Sequence, residues 1–406
     1  MRHVIIGVGA AGISAAKTIR SQNGQDEIVM ISTDEAVHSR CMLHKLIGGA
    51  RSDKELSFIP PEFFADNRIT WRGGTAVTGL DTAAKRVTFN GGSETYDRLL
   101  IAAGAESVFP PIEGLREASG VYGLRNLSDA KAIREKAANA KNIVVVGAGL
   151  VGLDAAYGLF EMGKKPVVVD LAESVLSVNF DAHAAKVYQT KFEEAGLSFR
   201  LGRKVKNVQR DKAGNVASLT LDDGAQLPCD LLIVAAGVRP AAGFLAGSGI
   251  ACERGVAVNE YLRTNADGVY AAGDVTGLSQ NWPSAAKQGE VAALNMCGVK
   301  TVYDEAALLK NTANFFDIAS LSAGQFIPIE GDVTNSREDR GRYQKVVVRN
   351  GVPVGVVLQG DISHAGFWQY IIAHKISIAS ITKPVWKVSF ADSYGMEKNG
   401  EYKWVV

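Results

Sequence analysis

One pattern occurs twice in this chain and limits what it can become: a short apolar run breaks into three spaced glycines and then into a helical stretch. The first copy is residues 3–6, followed by Gly7-Val8-Gly9-Ala10-Ala11-Gly12 and a helical stretch at 13–20. The second comes 140 residues later: residues 142–146, then Gly147-Ala148-Gly149-Leu150-Val151-Gly152, then a helical stretch at 153–162. The first glycine of such a turn permits a sharp reversal, the second lets the backbone approach a pyrophosphate, and the third lets helix and strand pack closely. The phosphates then lie over the helix N-terminus, where unpaired N–H groups and the dipole favour negative charge. Placed between strand and helix, the pattern reads as a nucleotide-binding turn in a parallel α/β sheet rather than an ordinary glycine-rich loop. Two copies predict two such sites.

The second copy carries a further mark. Its next strand, residues 166–169, ends at Asp170, 18 residues beyond Gly152. A carboxylate there accepts both ribose hydroxyls and repels a 2′-phosphate. No arginine follows closely, so NADH is expected over NADPH. The first copy lacks that acid: residues 27–31 end at Ser32, with Asp34 and Glu35 after it. Either a hydroxyl or a displaced carboxylate holds that ribose. A third signal lies at 264–274, where a short apolar strand ends in Gly273-Asp274. This puts a carboxylate at a strand's carboxyl end, where ligands of open α/β sheets bind. Trp282-Pro283-Ser284 then leads into a helical run at 285–296. Proline suits the first helical turn, so this helix N-terminus is expected to point into the site.

Composition narrows the chemistry. Among 406 residues, 44 Lys+Arg oppose 43 Asp+Glu, a formal net charge of +1. Neither nucleic acid nor an anionic membrane would find a general basic field to bind. Length and a 47% apolar content predict two or three domains with cores of their own. No stretch approaches the ~18 uninterrupted apolar residues of a spanning helix. A buried strand starts almost at Met1, where a cleavable signal would remove it, so a cytoplasmic protein is expected. Cys41, Cys229, Cys252 and Cys297 form no CxxC or CxxxxC pair, and the six histidines show no ligand spacing. That disfavours a disulfide scaffold, a zinc site, an Fe–S cluster and an active-site dithiol, and no metal is expected. The chemistry then has to come from a bound cofactor.

Further motifs join these: Leu99-Leu100-Ile101-Ala102-Ala103-Gly104-Ala105, Leu124-Arg125-Asn126-Leu127-Ser128-Asp129-Ala130 and Val234-Ala235-Ala236-Gly237-Val238-Arg239-Pro240. With them the chain resembles the FAD-dependent pyridine nucleotide–disulfide oxidoreductase superfamily over nearly its full length. It is most similar there to NADH:rubredoxin reductases, the flavin portion of assimilatory nitrite reductases, and the ferredoxin reductases of oxygenase systems. Apoptosis-inducing factor is a more distant likeness. The resemblance implies an α/β fold with two Rossmann-like dinucleotide-binding domains and a small α+β C-terminal domain. The FAD domain would be discontinuous, 1–115 and 237–303, with the NADH domain, 116–236, inserted in it. The C-terminal domain, 304–406, would support a homodimer. Its own residues predict two strands, 343–349 and 352–359, across a type I′ turn at Asn350-Gly351. By resemblance, Ala103, Gly104, Arg125, Gly273, Asp274 and Trp282 to Ser284 join the first glycine turn at FAD. Ala236 and Gly237 join the second.

The loop after the second strand bears on the chemistry. In the ferredoxin-reductase branch it carries Arg-Pro-Pro-Leu-Ser-Lys, and here it reads Arg40-Cys41-Met42-Leu43-His44-Lys45. The resemblance implies that Arg40 contacts FAD and that Lys45 sits beside flavin N5, with Asp154 in the place of the Glu that pairs with that lysine. Such an ammonium stabilises negative charge arriving on the flavin, and its partner limits the cost of burying it. The implied activity is an FAD-dependent NADH:acceptor oxidoreductase. Hydride would pass from NADH to flavin N5, and electrons would leave for a small carrier such as rubredoxin or ferredoxin. Cys41 opens a second reading. NADH peroxidases, NADH oxidases and coenzyme A–disulfide reductases carry a single redox cysteine at about this position, although with Gly where this chain has Met42. A thiol near Arg40 and Lys45 could have a lowered pKa and be nucleophilic, although Arg40 and Lys45 themselves belong to the electron-carrier branch. A third reading is an NADH-responsive redox-sensing interaction protein.

Overall fold

Residues 1–278, 280–304 and 310–404 are described in a computed structural model, and they sort into two units. The first, residues 1–147, 151–169 and 203–304, is built on two parallel sheets. One has the strand order Val269–Ala271, Arg98–Ile101, Arg2–Ile6, Glu27–Ile31, Ile69–Arg72, every neighbour parallel. Its inner strands are continuous apolar runs because both faces are covered. Ile5, Met30 and Leu100 pack with Ile13, Ala16 and Ile19 of the helix Ala10–Gln22 and with Val291 and Ala292 of the helix Trp282–Met296. Val4, Val29 and Leu99 pack on the other face with Leu80, Val87 and Phe89 of a small antiparallel sheet. The second parallel sheet holds Val167–Val169, Ile143–Val146, Leu231–Val234 and Val121–Tyr122 in that order. An antiparallel sheet of Val205–Arg210, Val216–Leu221 and Gln226–Pro228 shares its core. Both crossover helices begin earlier than their apolar periodicity suggests, at Ala10 and Leu150, because the glycine turn itself forms the first helical turn.

The second unit comprises residues 148–150, 170–202 and the described residues after 304. Its antiparallel sheet runs Lys310–Phe315, Ile318–Gly324, Val352–Gln359, Arg342–Arg349, Val333–Asp339. Alternation along Ile318–Gly324 separates two faces. Leu321 and Ala323 join Phe367, Trp368 and Ile371 of the helix Ala365–Ala373. Ser320 meets the Tyr188 hydroxyl of the helix Ala182–Glu194 at 2.7 Å. The hairpin predicted at Asn350-Gly351 is present: Arg349 faces Val352, and the two turn residues have φ of 50° and 78°. Positive φ at both central positions is the type I′ signature. Among the described residues no helix is long and apolar enough to cross a membrane, and no cluster of side chains could hold a metal ion.

Candidate functional site

The two glycine turns have the same internal geometry. Gly7 and Gly147 take φ of 107° and 111°. A Cβ on Gly12 would lie 2.1 Å from the Gly7 carbonyl oxygen, and one on Gly152 would lie 1.9 Å from that of Gly147. A Cβ on Gly9 or Gly149 would meet nothing within 4 Å. The third glycine therefore sets strand-to-helix packing, and the second leaves open space over the turn. Gly9 also stands at the N-cap of Ala10–Gln22 with no side-chain cap and no acid in the first turn. That end keeps its N–H groups for a ligand.

An open cleft with a volume of about 280 Å³ lies over the first turn. Gly7, Gly9, Ala10 and Ala11 form one wall, and Ala103, Gly104 and Gly273 line it elsewhere. Ser32 and Asp34 both reach it, so the hydroxyl and the displaced carboxylate stand together. Ser32 Oγ accepts the Asp34 N–H at 3.0 Å, and Asp34 Oδ2 holds Arg40 Nη2 at 2.9 Å. A second ion pair lines the cleft: Arg125 Nη2 lies 2.5 Å from Asp274 Oδ2, while Arg125 Nε donates to the Ala105 carbonyl. Arg125 is delivered by a capping box, in which the Asp129 carboxylate accepts the N–H groups of Arg125 and Asn126. The Gly273 turn is held from below by fully buried Gln288, whose Oε1 accepts the Gly273 N–H at 2.7 Å. Asn281 caps Trp282–Met296 through the Ser284 N–H, with Pro283 in the first turn. Trp282 faces the cleft and packs edge-on against Phe58, centroids 4.9 Å apart. Gly12, Pro283 and Ser284 do not line it. Ser284 is fully buried, and its hydroxyl has no hydrogen-bond partner among the described residues. Phe58, His38, Thr75 and Phe244 also line the cleft and were not foreseen. His38, Phe58 and Thr75 arrive on irregular segments and Phe244 on the 3₁₀ turn Gly243–Leu245, none with a spacing signal, whereas Gln288 could have been sought on the inner face of its helix.

The Arg40–Lys45 loop departs from expectation twice. Arg40 and Cys41 line the cleft; Lys45 does not. The short helix Leu43–Ile47 lies against Leu150–Glu161 so closely that a Cβ on Gly158 would sit 2.6 Å from the His44 carbonyl oxygen. In that packing Lys45 Nζ pairs with Glu161 Oε1 at 3.2 Å and lies over the Tyr157 ring. The pairing expected with Asp154 is replaced by one with Glu161. Aspartate is one methylene shorter than the glutamate it replaces, and Glu161 presents a carboxylate two turns further along the same helix face. Asp154 instead faces His44, Oδ1 to Nδ1 3.5 Å. The second departure is the Cys41 thiol, whose pKa is raised, not lowered. Cys41 is exposed at the cleft wall, yet desolvation by the protein crowded around it raises its pKa most, Asp154 and Asp274 add to that, and Arg125 and Arg40 only partly oppose them. Cys41 should therefore react with iodoacetamide more slowly than free cysteine at neutral pH, with a rate still climbing in the alkaline range. A rate–pH profile that levels off below the free-thiol range would refute this.

Around the second turn, Gly147, Val151 and Gly152 belong to the first unit, as do Ala236 and Gly237, which follow the strand Leu231–Val234. Gly149, Leu150 and Asp170 belong to the second unit. There the Asp170 carboxylate accepts the Ala148 N–H through one oxygen and the Ala172 N–H, at 2.7 Å, through the other. The carboxylate is thus fixed in orientation by the backbone on either side of it. Exchange of Asp170 for Asn should lower NADH-over-NADPH discrimination by about tenfold, the worth of a charge-assisted hydrogen bond. Kd ratios for the two nucleotides measure it, and an unchanged ratio would count against the role.

Known proteins share this architecture. The chain is 31% identical over 395 residues to the NADH-dependent phenylglyoxylate dehydrogenase subunit epsilon of Aromatoleum evansii, covering 94% of this chain and 93% of that protein. It is 28% identical over 315 residues to a rubredoxin-NAD(+) reductase of Pseudomonas putida, covering 74% of this chain and 81% of that one. Among solved structures, the reductase in the covalent putidaredoxin reductase–putidaredoxin complex has the same fold, with a TM-score of 0.83 at 24% identity over 93% of this chain and 94% of that chain. The model of the pyridine nucleotide-disulphide oxidoreductase family matches residues 1–289, and the chain belongs to that family.

Proposed function

We propose that this protein is an FAD-dependent NADH:acceptor oxidoreductase that delivers electrons to a small carrier such as a rubredoxin or ferredoxin. The observation that carries this reading is the congruence of two dinucleotide-binding turns, Gly7–Gly12 and Gly147–Gly152, in one chain. The residues of the cleft fit FAD. The open position over Gly9 and the uncapped helix behind it suit a pyrophosphate, Ser32 and Asp34 offer acceptors to ribose hydroxyls, and Arg40 adds a cation fixed by Asp34. When bound, FAD supplies the redox chemistry, taking a hydride from NADH and releasing electrons to the acceptor.

The chain's own residues would do the rest. Asp274, oriented by Arg125, offers an acceptor for ligand hydroxyls, and the N-terminus of Trp282–Met296 favours negative charge at the cleft. Phe58 and Trp282 give that wall an apolar face that keeps water away. Asp170 selects the unphosphorylated ribose of NADH over NADPH. We assign residues 1–115 and 237–303 to FAD, 116–236 to NADH and 304–406 to an interface that supports a homodimer. In support, all five strands of the first sheet fall in the FAD segments, and the strands 121–122, 143–146, 167–169 and 231–234 fall in the NADH segment. Four free thiols suit a reducing compartment, and we place the protein in the cytoplasm.

The second reading, turnover through Cys41, keeps one observation in its favour: the thiol lines the cleft. Its raised pKa weighs against it. Anaerobic NADH titration of the yellow protein should bleach the flavin band, and the bleached protein should recolour with a rubredoxin or ferredoxin. The Cys41→Ser variant should do the same. No bleaching would sink the oxidoreductase reading; loss of all acceptor reduction in Cys41→Ser would favour the thiol route.

A further inference from the structure

His38 lines the cleft, yet it is only 3% exposed. Its Nδ1 lies 3.0 Å from the Ala36 carbonyl oxygen, which can only accept, so Nδ1 carries a hydrogen and donates it. In an uncharged ring Nε2 is then a bare acceptor, and 3.5 Å from it stands Arg40 Nη1, which can only donate. The same guanidinium gives Nη2 to Asp34 Oδ2 at 2.9 Å, and the Asp34 N–H is held in turn by Ser32 Oγ. Local backbone accounts for the meeting of ring and guanidinium. Ser39 is extended, with φ of −77° and ψ of 114°, so the residues on either side of it project the same way. The other buried histidines, His3 and His44, each leave Nδ1 without a hydrogen-bond partner among the described residues, and neither lines the cleft.

We propose that His38 is a positioning residue of the cleft: locked by Ala36 as the Nδ1–H tautomer, it holds one arm of the Arg40 guanidinium at Nε2 while Asp34 holds the other, and so sets that cation for an anionic group of the ligand. A guanidinium is planar and rigid, so anchoring both of its terminal nitrogens fixes the plane of the whole fork. Its remaining N–H groups stay available to a phosphate or carboxylate. A neutral acceptor suits this task better than a second carboxylate would. Asp34 already balances the Arg40 charge, and another acid there would leave the site net negative and repel an anion. Protonation of His38 would set N–H against N–H and place a second positive charge beside the guanidinium. Burial holds the His38 pKa below its ordinary value most, and Arg40 acts the same way; the Ala36 carbonyl and Asp34 oppose them, and Arg125 adds to the lowering. The ring is therefore uncharged at neutral pH, as the geometry requires.

That the ligand is FAD rests on the oxidoreductase reading; the tautomer and the hold on Arg40 do not. In the full-length protein labelled with 15N-histidine, long-range NMR correlations at neutral pH should show a ring with protonated Nδ1 and bare Nε2, assigned to His38 by its absence in His38→Gln. An Nε2–H tautomer or an imidazolium at that position overturns the proposal, and this measurement needs no variant to bind flavin. FAD binding to the flavin-free full-length protein, read by quenching of flavin fluorescence, tests the effect on Arg40. His38→Phe keeps a ring but no acceptor and should weaken FAD binding about tenfold, the scale of one hydrogen bond to a charged group. His38→Gln, whose amide oxygen can stand in for Nε2, should recover most of that loss. In an Arg40→Met background, His38→Phe should cost no further affinity, because no fork remains to be held. An equal loss with and without Arg40, or no recovery in His38→Gln, overturns the positioning role. If the parent shows the stated tautomer yet binds no FAD, the oxidoreductase reading falls and the hold of His38 on Arg40 stands.

Discussion

Alanine at Gly152 should give a yellow protein that NADH no longer bleaches, while alanine at Gly12 should give a protein that cannot hold the flavin. The same chemical change is made at equivalent points of two congruent turns, so only the identity of the bound ligand separates the outcomes. At Gly12 the new Cβ would fall 2.1 Å from the Gly7 carbonyl oxygen and 3.4 Å from the Ile5 side chain. At Gly152 it would fall 1.9 Å from the Gly147 carbonyl oxygen. Neither obstacle is the flexible end of a side chain, so the helix must back away from its strand. Overpacking of this kind costs about 1–3 kcal/mol of stability. It also moves the helix N-terminus away from the phosphates it would face, and a displacement of about 1 Å in a positioning element costs on the order of 100-fold in rate. Flavin per chain, read from absorbance, and the rate of anaerobic bleaching separate the two sites. Dithionite should still reduce the Gly152→Ala protein. If Gly152→Ala were bleached at the parent rate, or lost flavin as readily as Gly12→Ala, the assignment of the two turns to two ligands would fail.

What the sequence made legible here is what backbone geometry enforces. The glycine turns, the acid at Asp170, the Gly273-Asp274 turn and the Asn350-Gly351 hairpin each demand a residue type at a fixed offset, and the structure holds all of them where the spacing puts them. Side-chain partnerships were less legible. The choice of Glu161 over Asp154 by Lys45 depends on reach between two helices and on the absence of a side chain at Gly158, which no local pattern records. The surroundings of the Cys41 thiol were hidden for a related reason. Proximity in sequence to Arg40 and Lys45 suggested a positive surrounding, but Lys45 turns to Glu161 while Asp154 and Asp274 act from distant parts of the chain. Phe58 belongs to the cleft only because an irregular segment returns it to Trp282. Field and cavity are properties of the assembled fold, and sequence neighbours describe them poorly.

Breaking the Arg125–Asp274 pair from one side should cost more than removing both members. Their side chains are 18% and 13% exposed, so most of the water that would shield an unpaired charge is already excluded. In Asp274→Asn the Arg125 guanidinium keeps its bond to the Ala105 carbonyl but loses its counter-charge; in Arg125→Met the Asp274 carboxylate loses it instead. Leaving one charge of a buried pair uncompensated costs about 3–5 kcal/mol, and the residual exposure here places the expectation at about 3 kcal/mol for either single variant. The double variant, with a neutral amide opposite a thioether, should regain part of that loss and be more stable than either single variant, so the coupling energy in a denaturant-unfolding cycle should exceed about 3 kcal/mol. Flavin affinity should behave differently. If Asp274 accepts ligand hydroxyls, both variants that lack its carboxylate should hold flavin weakly, and restoring stability should not restore affinity. A double variant that recovers flavin binding along with stability would make the pair a purely structural strut and take Asp274 out of the ligand site. Additive losses in the unfolding cycle would show that the two charges are shielded by solvent after all.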